Sequence, residues 1–240
     1  MEQVFVVHRR GFFSGNWPQG FLALDAASAR DLLRKFAASG EFVPRDQAEE
    51  NPAWKQLIPY CVLRTPDRVL CVQRKSAQTE SRLHGKLSIG IGGHINPEPG
   101  QTPDQASNTF TPSHFESALR RELTEELHGA DGRKPLARFC GLLNDDENPV
   151  GRVHTGLVYT LDWPATRTDA ELPTVREVSK MSGSFRSLAE MRNLWEDPAR
   201  LETWTRTLVE AGIAGAAAVP RQPNTTPHSS RPARDLEDSL

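Results

Sequence analysis

Residues 113–129 read SHFESALRRELTEELHG, and this stretch decides the fold. Leucine recurs in it at every fourth position, at Leu119, Leu123 and Leu127. Such a stripe is typical of a helix that packs on a core. Ser113 and Glu116 match a capping box, and Gly129 stands where a glycine commonly ends a helix. We therefore predict a helix over residues 114–128.

Three glutamates crowd one side of this predicted helix. At about 100° per residue, Glu122, Glu125 and Glu126 fall within an arc of roughly 100° that borders the leucine stripe. Like charges four residues apart destabilise a helix by roughly 0.2–0.5 kcal/mol. The crowding therefore suits a bound cation such as Mg²⁺, which prefers oxygen ligands, and Arg121 can reach Glu125 and hold it. An ordinary solvated helix face with salt bridges explains the same residues, and both interpretations stay open at this point.

Alternating strands and helices are predicted around this helix. The predicted strands cover residues 3–7, 57–63, 68–74, 87–91, 136–143, 153–161 and 175–180. The other predicted helices cover residues 26–38, 187–193 and 199–211, capped by Asp25 or Ser28, by Ser187 with Glu190, and by Asp197. Residues 44–56 are predicted to be irregular. Residues 95–113 hold four prolines and are predicted to form a long surface loop.

Composition excludes several classes of protein. The 240 residues include 29 Lys and Arg against 31 Asp and Glu, and this balance disfavours the binding of an extended nucleic acid. There is no run of about 18 apolar residues, so we expect no membrane span, and the first residues do not resemble a signal peptide. Cys61, Cys71 and Cys140 lie among apolar neighbours, which indicates buried thiols in a reducing compartment. We expect a cytoplasmic protein.

A glycine-rich run precedes the glutamate helix and gives it a recognisable context. The strand-like run LSIGIGGHI at 87–95 contains Gly92 and Gly93, a Pro/Gly-rich loop follows, and residues 121–126 read RELTEE. In this order the sequence resembles the Nudix box, in which a glycine after a strand and a loop precede a helix with the pattern R-E-U-x-E-E. The resemblance covers about residues 58–160.

Further runs are similar to the MutT-like branch of Nudix proteins described as predicted phosphoesterases. These runs are QLIPY at 56–60, LHGKLSIGIGGH at 83–94, NDDE at 144–147 and VHTG at 153–156. The chain also departs from the usual box. Arg121 lies 28 positions after Gly93, where the usual distance is fourteen, and the usual loop glutamate has no clear counterpart. Two residues, not one, separate Glu126 from Gly129.

The resemblance implies a metal site. Glu122, Glu125 and Glu126 would bind Mg²⁺, with Mn²⁺ as an alternative ion, and Arg121 would orient them. The backbone carbonyl of Gly93 would complete the metal shell. The implied reaction is the attack of water on a phosphorus of a nucleoside diphosphate linked to another moiety, and all four of these charged side chains would be catalytic.

Residues outside the box are candidates for the general base and for substrate binding. The base would be Glu122 or a member of the run Asp145, Asp146 and Glu147, which fits an ordinary acidic turn equally well. Residues 64–86 hold six Lys and Arg against two acidic residues, so Arg74, Lys75, Arg82 and Lys86 would face a polyphosphate or simply be solvated. His94 is the histidine best placed for a functional role. The candidate substrate contacts are therefore Arg74, Lys75, Arg82, His94, Asp145 and Asp146.

We expect an α/β fold, a Nudix-type α/β/α sandwich with a mixed β-sheet, an N-terminal extension and a C-terminal helix. Residues 1–56 would form the extension packed on the domain, 57–213 the Nudix domain, and 214–240 a disordered tail. The expected function is Mg²⁺-dependent hydrolysis of a phosphoanhydride bond in a nucleoside di- or triphosphate or a nucleoside diphosphate derivative. Its partner would be this small-molecule nucleotide or diphosphate. The alternative is a non-catalytic nucleotide-sensing module on the same scaffold.

Overall fold

A computed structural model describes residues 1–74, 86–129, 136–164, 168–176, 181–195 and 197–215. Its strands are β1 Gln3–His8, β2 Gly20–Ala23, β3 Glu41–Pro44, β4 Trp54–Arg64, β5 Arg68–Arg74, β6 Leu87–Ser88, β7 Gly90–Gly92, β8 Leu127–His128, β9 Arg138–Asn144, β10 His154–Asp162, β11 Thr174–Val175 and β12 Met181–Ser187. Its α-helices are α1 Ala26–Ser39, α2 Arg45–Glu50, α3 Pro103–Thr109, α4 Pro112–Glu126, α5 Pro149–Val153, α6 Leu188–Trp195 and α7 Thr203–Glu210. Short 3-10 helices cover Arg9–Gly11, Phe13–Gly15, Asp169–Glu171 and Pro198–Arg200.

Within these residues, ten strands form one mixed sheet. Its main path runs in the order β12, β5, β4, β10, β9, β2, and β1, β3, β6 and β7 pair beside it. β4 and β10 are parallel, from Gln56 opposite His154 to Arg64 opposite Asp162. The other strand pairs of this sheet are antiparallel. β8 and β11 form a separate two-stranded sheet.

The side chains of β4 alternate between two cores. Leu57, Cys61 and Leu63 pack in the core that includes residues of α1 and α4. Tyr60 and Val62 pack in the core that includes residues of α6 and α7. Helices therefore cover both faces of a mixed sheet, and the predicted α/β/α sandwich is confirmed.

Three local predictions, two helix caps and the burial of the cysteines, are confirmed. Asp25 caps α1 and accepts hydrogen bonds from the backbone N–H groups of Ala27 and Ser28 at 2.8 and 3.0 Å. Ser187 and Glu190 form the expected reciprocal cap, at 2.7 and 3.2 Å. The three cysteines are buried and form no disulfide. Among the described residues, no helix combines the length and the apolar character that crossing a membrane requires.

The prediction that residues 44–56 are irregular is wrong. They form α2 and the first residues of β4. Ala48 of α2 is fully buried against Val4 and Val6, and Trp54 of β4 pairs with the end of β1. A six-residue helix with one buried side chain has no visible periodicity, so tertiary packing supplies what the sequence pattern lacks.

The prediction of a long surface loop over residues 95–113 is also wrong in part. α3 forms within it, and Thr102 caps this helix reciprocally with Gln105. Phe110 stacks on Phe5 with ring centroids 3.9 Å apart and meets Phe42 edge-on at 5.8 Å. The segment between Gly93 and α4 therefore packs against strands β1 and β3.

The glutamate helix is shifted from its predicted bounds. It begins at Pro112, where the backbone N–H of Thr111 donates to Nδ1 of His114 at 3.0 Å, so Ser113 is not the cap. It ends at Glu126 because the next two residues pair with β11.

Of the strand predicted at 175–180, residue 175 lies in β11, and residues 177–180 lie outside the described part of the chain.

The last helix starts later than predicted. Residues 198–200 form a 3-10 turn, Leu201 makes a bridge with Leu87, and α7 follows from Thr203. The backbone N–H of Glu202 donates to the carbonyl of Leu87 at 3.0 Å, which interrupts the helix that the sequence predicts.

Residues 1–56 join the same sheet as the following strands, and the division at residue 56 stays a prediction. The predicted tail lies outside the described residues from residue 216 onward.

Candidate functional site

The carboxylate of Glu122 packs directly over Gly93. Gly93 follows β7, and a Cβ atom on it would overlap both carboxylate oxygens of Glu122. Only a glycine therefore allows α4 to bring this carboxylate against the end of β7. The side chain of Glu122 is 13% exposed.

Arg121 joins α4 to the segment that follows Gly93. Its Nη2 donates to Oε1 of Glu122 at 2.8 Å and to the carbonyl oxygen of His94 at 2.7 Å. Its Nη1 donates to Oδ1 of Asn96 at 2.9 Å. Its Nε lies 4.0 Å from Oε1 of Glu125, so the expected contact with Glu125 is present but longer than the contact with Glu122.

Glu122, Glu125 and Glu126, at the C-terminal end of α4, repel one another at the edge of the core. Burial raises the pKa of Glu122, the guanidinium of Arg121 opposes this, and the charges of Glu125 and Glu126 raise it further. Glu125 is 61% exposed, and Glu126 is partly buried. A set of carboxylate and carbonyl oxygens beside a glycine suits a hard divalent cation, which would neutralise this repulsion. The types of residue therefore fit Mg²⁺, but the ligand oxygens of the three glutamates do not all lie within 4.8 Å of one another.

Arg176 fixes the end of α4 where Glu126 lies. Its backbone N–H donates to the carbonyl oxygen of Glu126 at 2.8 Å, and its Nη2 donates to the carbonyl oxygen of Leu127 at 3.2 Å. These bonds satisfy carbonyl groups that a helix end leaves without intrahelical partners. The sequence did not indicate this role, because Arg176 follows a strand that pairs with residues 127–128 only in the folded chain.

Asp146 belongs to an ion-pair network with a fully buried lysine. The Nζ of Lys55 donates to Oδ1 of Asp146 and to Oδ1 of Asn144, both at 2.7 Å. It also donates to the carbonyl oxygens of Gly151 and His154 at 2.6 and 3.2 Å. Nothing in the sequence indicates a role for Lys55, because it lies in a segment predicted to be irregular and lysines are usually solvent-exposed.

Two further side chains hold Asp146. Arg9 forms an ion pair with it, and Nε2 of Gln19 donates to Oδ2 at 2.9 Å. Burial raises the pKa of Asp146, but the hydrogen bonds from Arg9 and Lys55 outweigh burial and hold this pKa well below its ordinary value. Asp145 accepts from the backbone N–H of Glu147 at 3.0 Å. Asp145 and Asp146 therefore organise the turn between β9 and α5.

His94 lies beside a second histidine and a glutamate. Its Nε2 is 3.4 Å from Nε2 of His154, which in turn is 3.8 Å from Oε1 of Glu49. We call Glu49, His94 and His154 the imidazole cluster. Burial, with the charges of Arg45 and His154, lowers the pKa of His94 to about 3, so His94 is neutral at physiological pH.

Two known proteins are similar to this chain over most of its length. No family model matches the chain. Protein YmaB of Bacillus subtilis (strain 168) is 34% identical over 199 residues, which are 80% of this chain and 87% of YmaB. Tm1382, a protein of known crystal structure that has been assigned as a Nudix hydrolase, is 28% identical in sequence to this chain. The two structures match with a TM-score of 0.64 over 86% of this chain and 95% of Tm1382. The chain belongs to the Nudix family.

A third likeness is weaker. A bifunctional NMN adenylyltransferase/ADP ribose pyrophosphatase from Francisella tularensis is 16% identical with a TM-score of 0.44, over 66% of this chain and 40% of that protein. A similarity this low bears on neither substrate nor mechanism. That α4 is the box helix of this Nudix protein and Gly93 its box glycine stays a prediction from the sequence. The MutT-like phosphoesterase branch stays a prediction.

Part of the expected phosphate site of this Nudix protein lies outside the described residues. Lys75 and Arg82 belong to that part, and Arg74 is described only as the last residue of β5, opposite Met181. A cavity of about 370 Å³ lies between α3, α4 and the residues after His94. Arg121 lines this cavity, but the three glutamates of α4 do not. We therefore do not assign the cavity to phosphate chemistry.

Proposed function

We propose that this Nudix protein hydrolyses a phosphoanhydride bond in a nucleoside di- or triphosphate or a nucleoside diphosphate derivative, with Mg²⁺ as its cofactor. One observation carries the proposal. The carboxylate of Glu122 lies over Gly93, and Glu125 and Glu126 share the same edge of α4. We further propose that the protein acts in the cytoplasm on this small-molecule substrate.

In this proposal the three glutamates bind the metal ion, and Arg121 positions them. Glu122, Glu125 and Glu126, with the carbonyl of Gly93, would hold Mg²⁺, and Mn²⁺ would serve as a substitute. When bound, the ion would polarise a phosphoryl oxygen and lower the pKa of a coordinated water. Arg121 orients Glu122 through its 2.8 Å hydrogen bond and anchors the backbone after Gly93 through His94.

Among the candidate bases, Asp146 is the least suited. A general base works best when its pKa lies near the operating pH. Arg9 and Lys55 hold the pKa of Asp146 low and occupy its oxygens. We propose that Asp145 and Asp146 shape the turn and that Glu122 or the exposed Glu147 accepts the proton of the attacking water.

A sensing module is the alternative function. Both functions need a pocket for a nucleotide, but the binding of a nucleotide alone has less need of crowded carboxylates. The three glutamates on one helix edge therefore favour hydrolysis.

A substrate panel tests the proposal. The full chain is incubated with Mg²⁺ and nucleoside di- and triphosphates, dinucleotides and nucleoside diphosphate derivatives, and release of phosphate, pyrophosphate or nucleoside monophosphate is measured. In H₂¹⁸O, we expect the label in a phosphate product, because water attacks phosphorus. Tight binding of a nucleotide with no product release across the panel would support the sensing module instead.

A further inference from the structure

The imidazole cluster is a second group of potential metal ligands, separate from the glutamates of α4. Glu49 lies on α2, His94 follows Gly93, and His154 begins β10. Their ligand atoms all lie within 4.8 Å of one another. Three segments distant in sequence thus bring one nitrogen from each histidine and a carboxylate oxygen to a common point.

The hydrogen bonding of His154 sets its tautomer. Its Nδ1 lies 2.8 Å from the carbonyl oxygen of Val150, and a carbonyl oxygen only accepts hydrogen bonds. Nδ1 therefore carries the proton, and the lone pair of Nε2 faces His94 and Glu49. Metal-binding histidines commonly donate their other ring N–H to a backbone carbonyl in this way.

The spacing of the two ring nitrogens fits a tetrahedral ion. Zinc–nitrogen bonds are about 2.0–2.1 Å long. Two nitrogens 3.4 Å apart that both bind one zinc ion therefore make an N–Zn–N angle of about 110°, close to the tetrahedral value. A hydrogen bond between the two rings is the competing explanation. At 3.4 Å, it would be longer than the usual hydrogen bond of about 2.9–3.0 Å.

The neighbours of Glu49 and His154 support a ligand site. Nε of Arg45 lies 3.4 Å from Oε1 of Glu49 and orients this carboxylate, which stays about one-third exposed and leaves a route for an ion. Gln56 is fully buried and lies opposite His154 in the parallel pair, on the same face of the sheet. Neither polar atom of its side chain has a hydrogen-bond partner within the described part of the chain. Buried polar atoms without partners commonly indicate an ion or water that completes the site.

We propose that Glu49, His94 and His154 bind a divalent transition-metal ion of the zinc class, at a site distinct from the Mg²⁺ site of α4. Imidazole nitrogen and one carboxylate suit Zn²⁺, whereas Mg²⁺ prefers oxygen ligands alone. Three protein ligands leave a fourth position for water or for a phosphate oxygen. The site stands whether or not the protein is a hydrolase.

Zinc binding in excess Mg²⁺ tests the site. Metal-free full-length protein is dialysed against Zn²⁺, and bound zinc is counted; Co²⁺ is added separately and its visible absorption is recorded. We expect one bound zinc per chain and the intense absorption of tetrahedral Co²⁺. Glu49→Gln should weaken zinc binding by about tenfold or more, with its fold checked by circular dichroism.

Two control variants separate the sites. Glu50→Gln changes the exposed neighbour on the same helix and should bind zinc like the wild type. The double variant Glu122→Gln/Glu126→Gln should also keep its zinc and its Co²⁺ spectrum, even where it loses turnover. The proposal is overturned if the wild type binds no zinc, if Glu49→Gln binds it as tightly, or if zinc is lost with the α4 glutamates.

Discussion

Gly93 and His94 are neighbours in the chain, yet they serve two differently built clusters. Gly93 meets Glu122 of the box helix, where one helix supplies all three carboxylates. His94 meets His154 and Glu49, which reach it through the pairing of β10 with β4 and the packing of α2. The side chains of the first cluster are brought together by the spacing of residues along a single helix. Those of the second cluster are brought together by the packing of segments that are distant in sequence. The two clusters should therefore respond differently to changes in the fold around them.

Removal of the buried lysine should have the largest effect. Lys55→Met leaves Asp146, Asn144 and the carbonyls of Gly151 and His154 without their shared donor. Loss of one partner of a buried ion pair costs about 3–5 kcal/mol, and the lower end applies here because Arg9 and Gln19 still hold Asp146. We expect a loss of this size in the free energy of unfolding, measured by urea denaturation.

An exposed lysine provides the control for this change. Lys35→Met on α1 should change the free energy of unfolding by less than about 0.5 kcal/mol. If Lys55→Met cost no more than Lys35→Met, the network around His154 would not hold this part of the sheet.

A methyl group on the box glycine should affect activity more than stability. In Gly93→Ala, the new Cβ displaces the carboxylate of Glu122, which is the flexible end of a side chain. We expect turnover to fall by about tenfold to a hundredfold, because misplacement by about 1 Å costs up to about a hundredfold. The free energy of unfolding should change by less than about 1 kcal/mol.

Gly11→Ala is the matched substitution, since a Cβ there meets no atom within 4 Å. It should leave both turnover and stability near the wild-type values. Equal turnover in Gly93→Ala and Gly11→Ala would mean that the approach of Glu122 to the strand end is not needed for catalysis.

The smallest expected effect concerns acid stability. The folded-state pKa of Asp146 lies below its ordinary value, so its contribution to stability is present above about pH 4 and is lost as pH falls toward the folded pKa. The unfolding free energy of the wild type should therefore fall more steeply below pH 4 than that of Asp146→Asn. Glu147→Gln, on the exposed side of the same turn, should keep the wild-type slope.

The contrast between the two clusters also explains how much of the fold and of the candidate site the sequence could predict. The leucine stripe, the glutamates and Gly93 are a contiguous pattern, so the box helix and the α/β/α sandwich were accessible from it. α2 has a single fully buried residue and no periodicity, and the pairing of Gln56 with His154 joins residues far apart in the chain. The roles of Glu49, His154 and Lys55 arise from this pairing and packing, which no local pattern specifies.

The dependence of turnover on Mg²⁺ concentration tests the central claim most directly. The rate of product release is measured across a Mg²⁺ titration for the wild type, for Glu126→Gln and for Glu116→Gln, which changes an exposed glutamate of the same helix. We predict Mg²⁺-dependent turnover in the wild type and in Glu116→Gln, and a loss of about a hundredfold or more in Glu126→Gln. Undiminished turnover in Glu126→Gln at every Mg²⁺ concentration would contradict the assignment of catalysis to Glu122, Glu125 and Glu126.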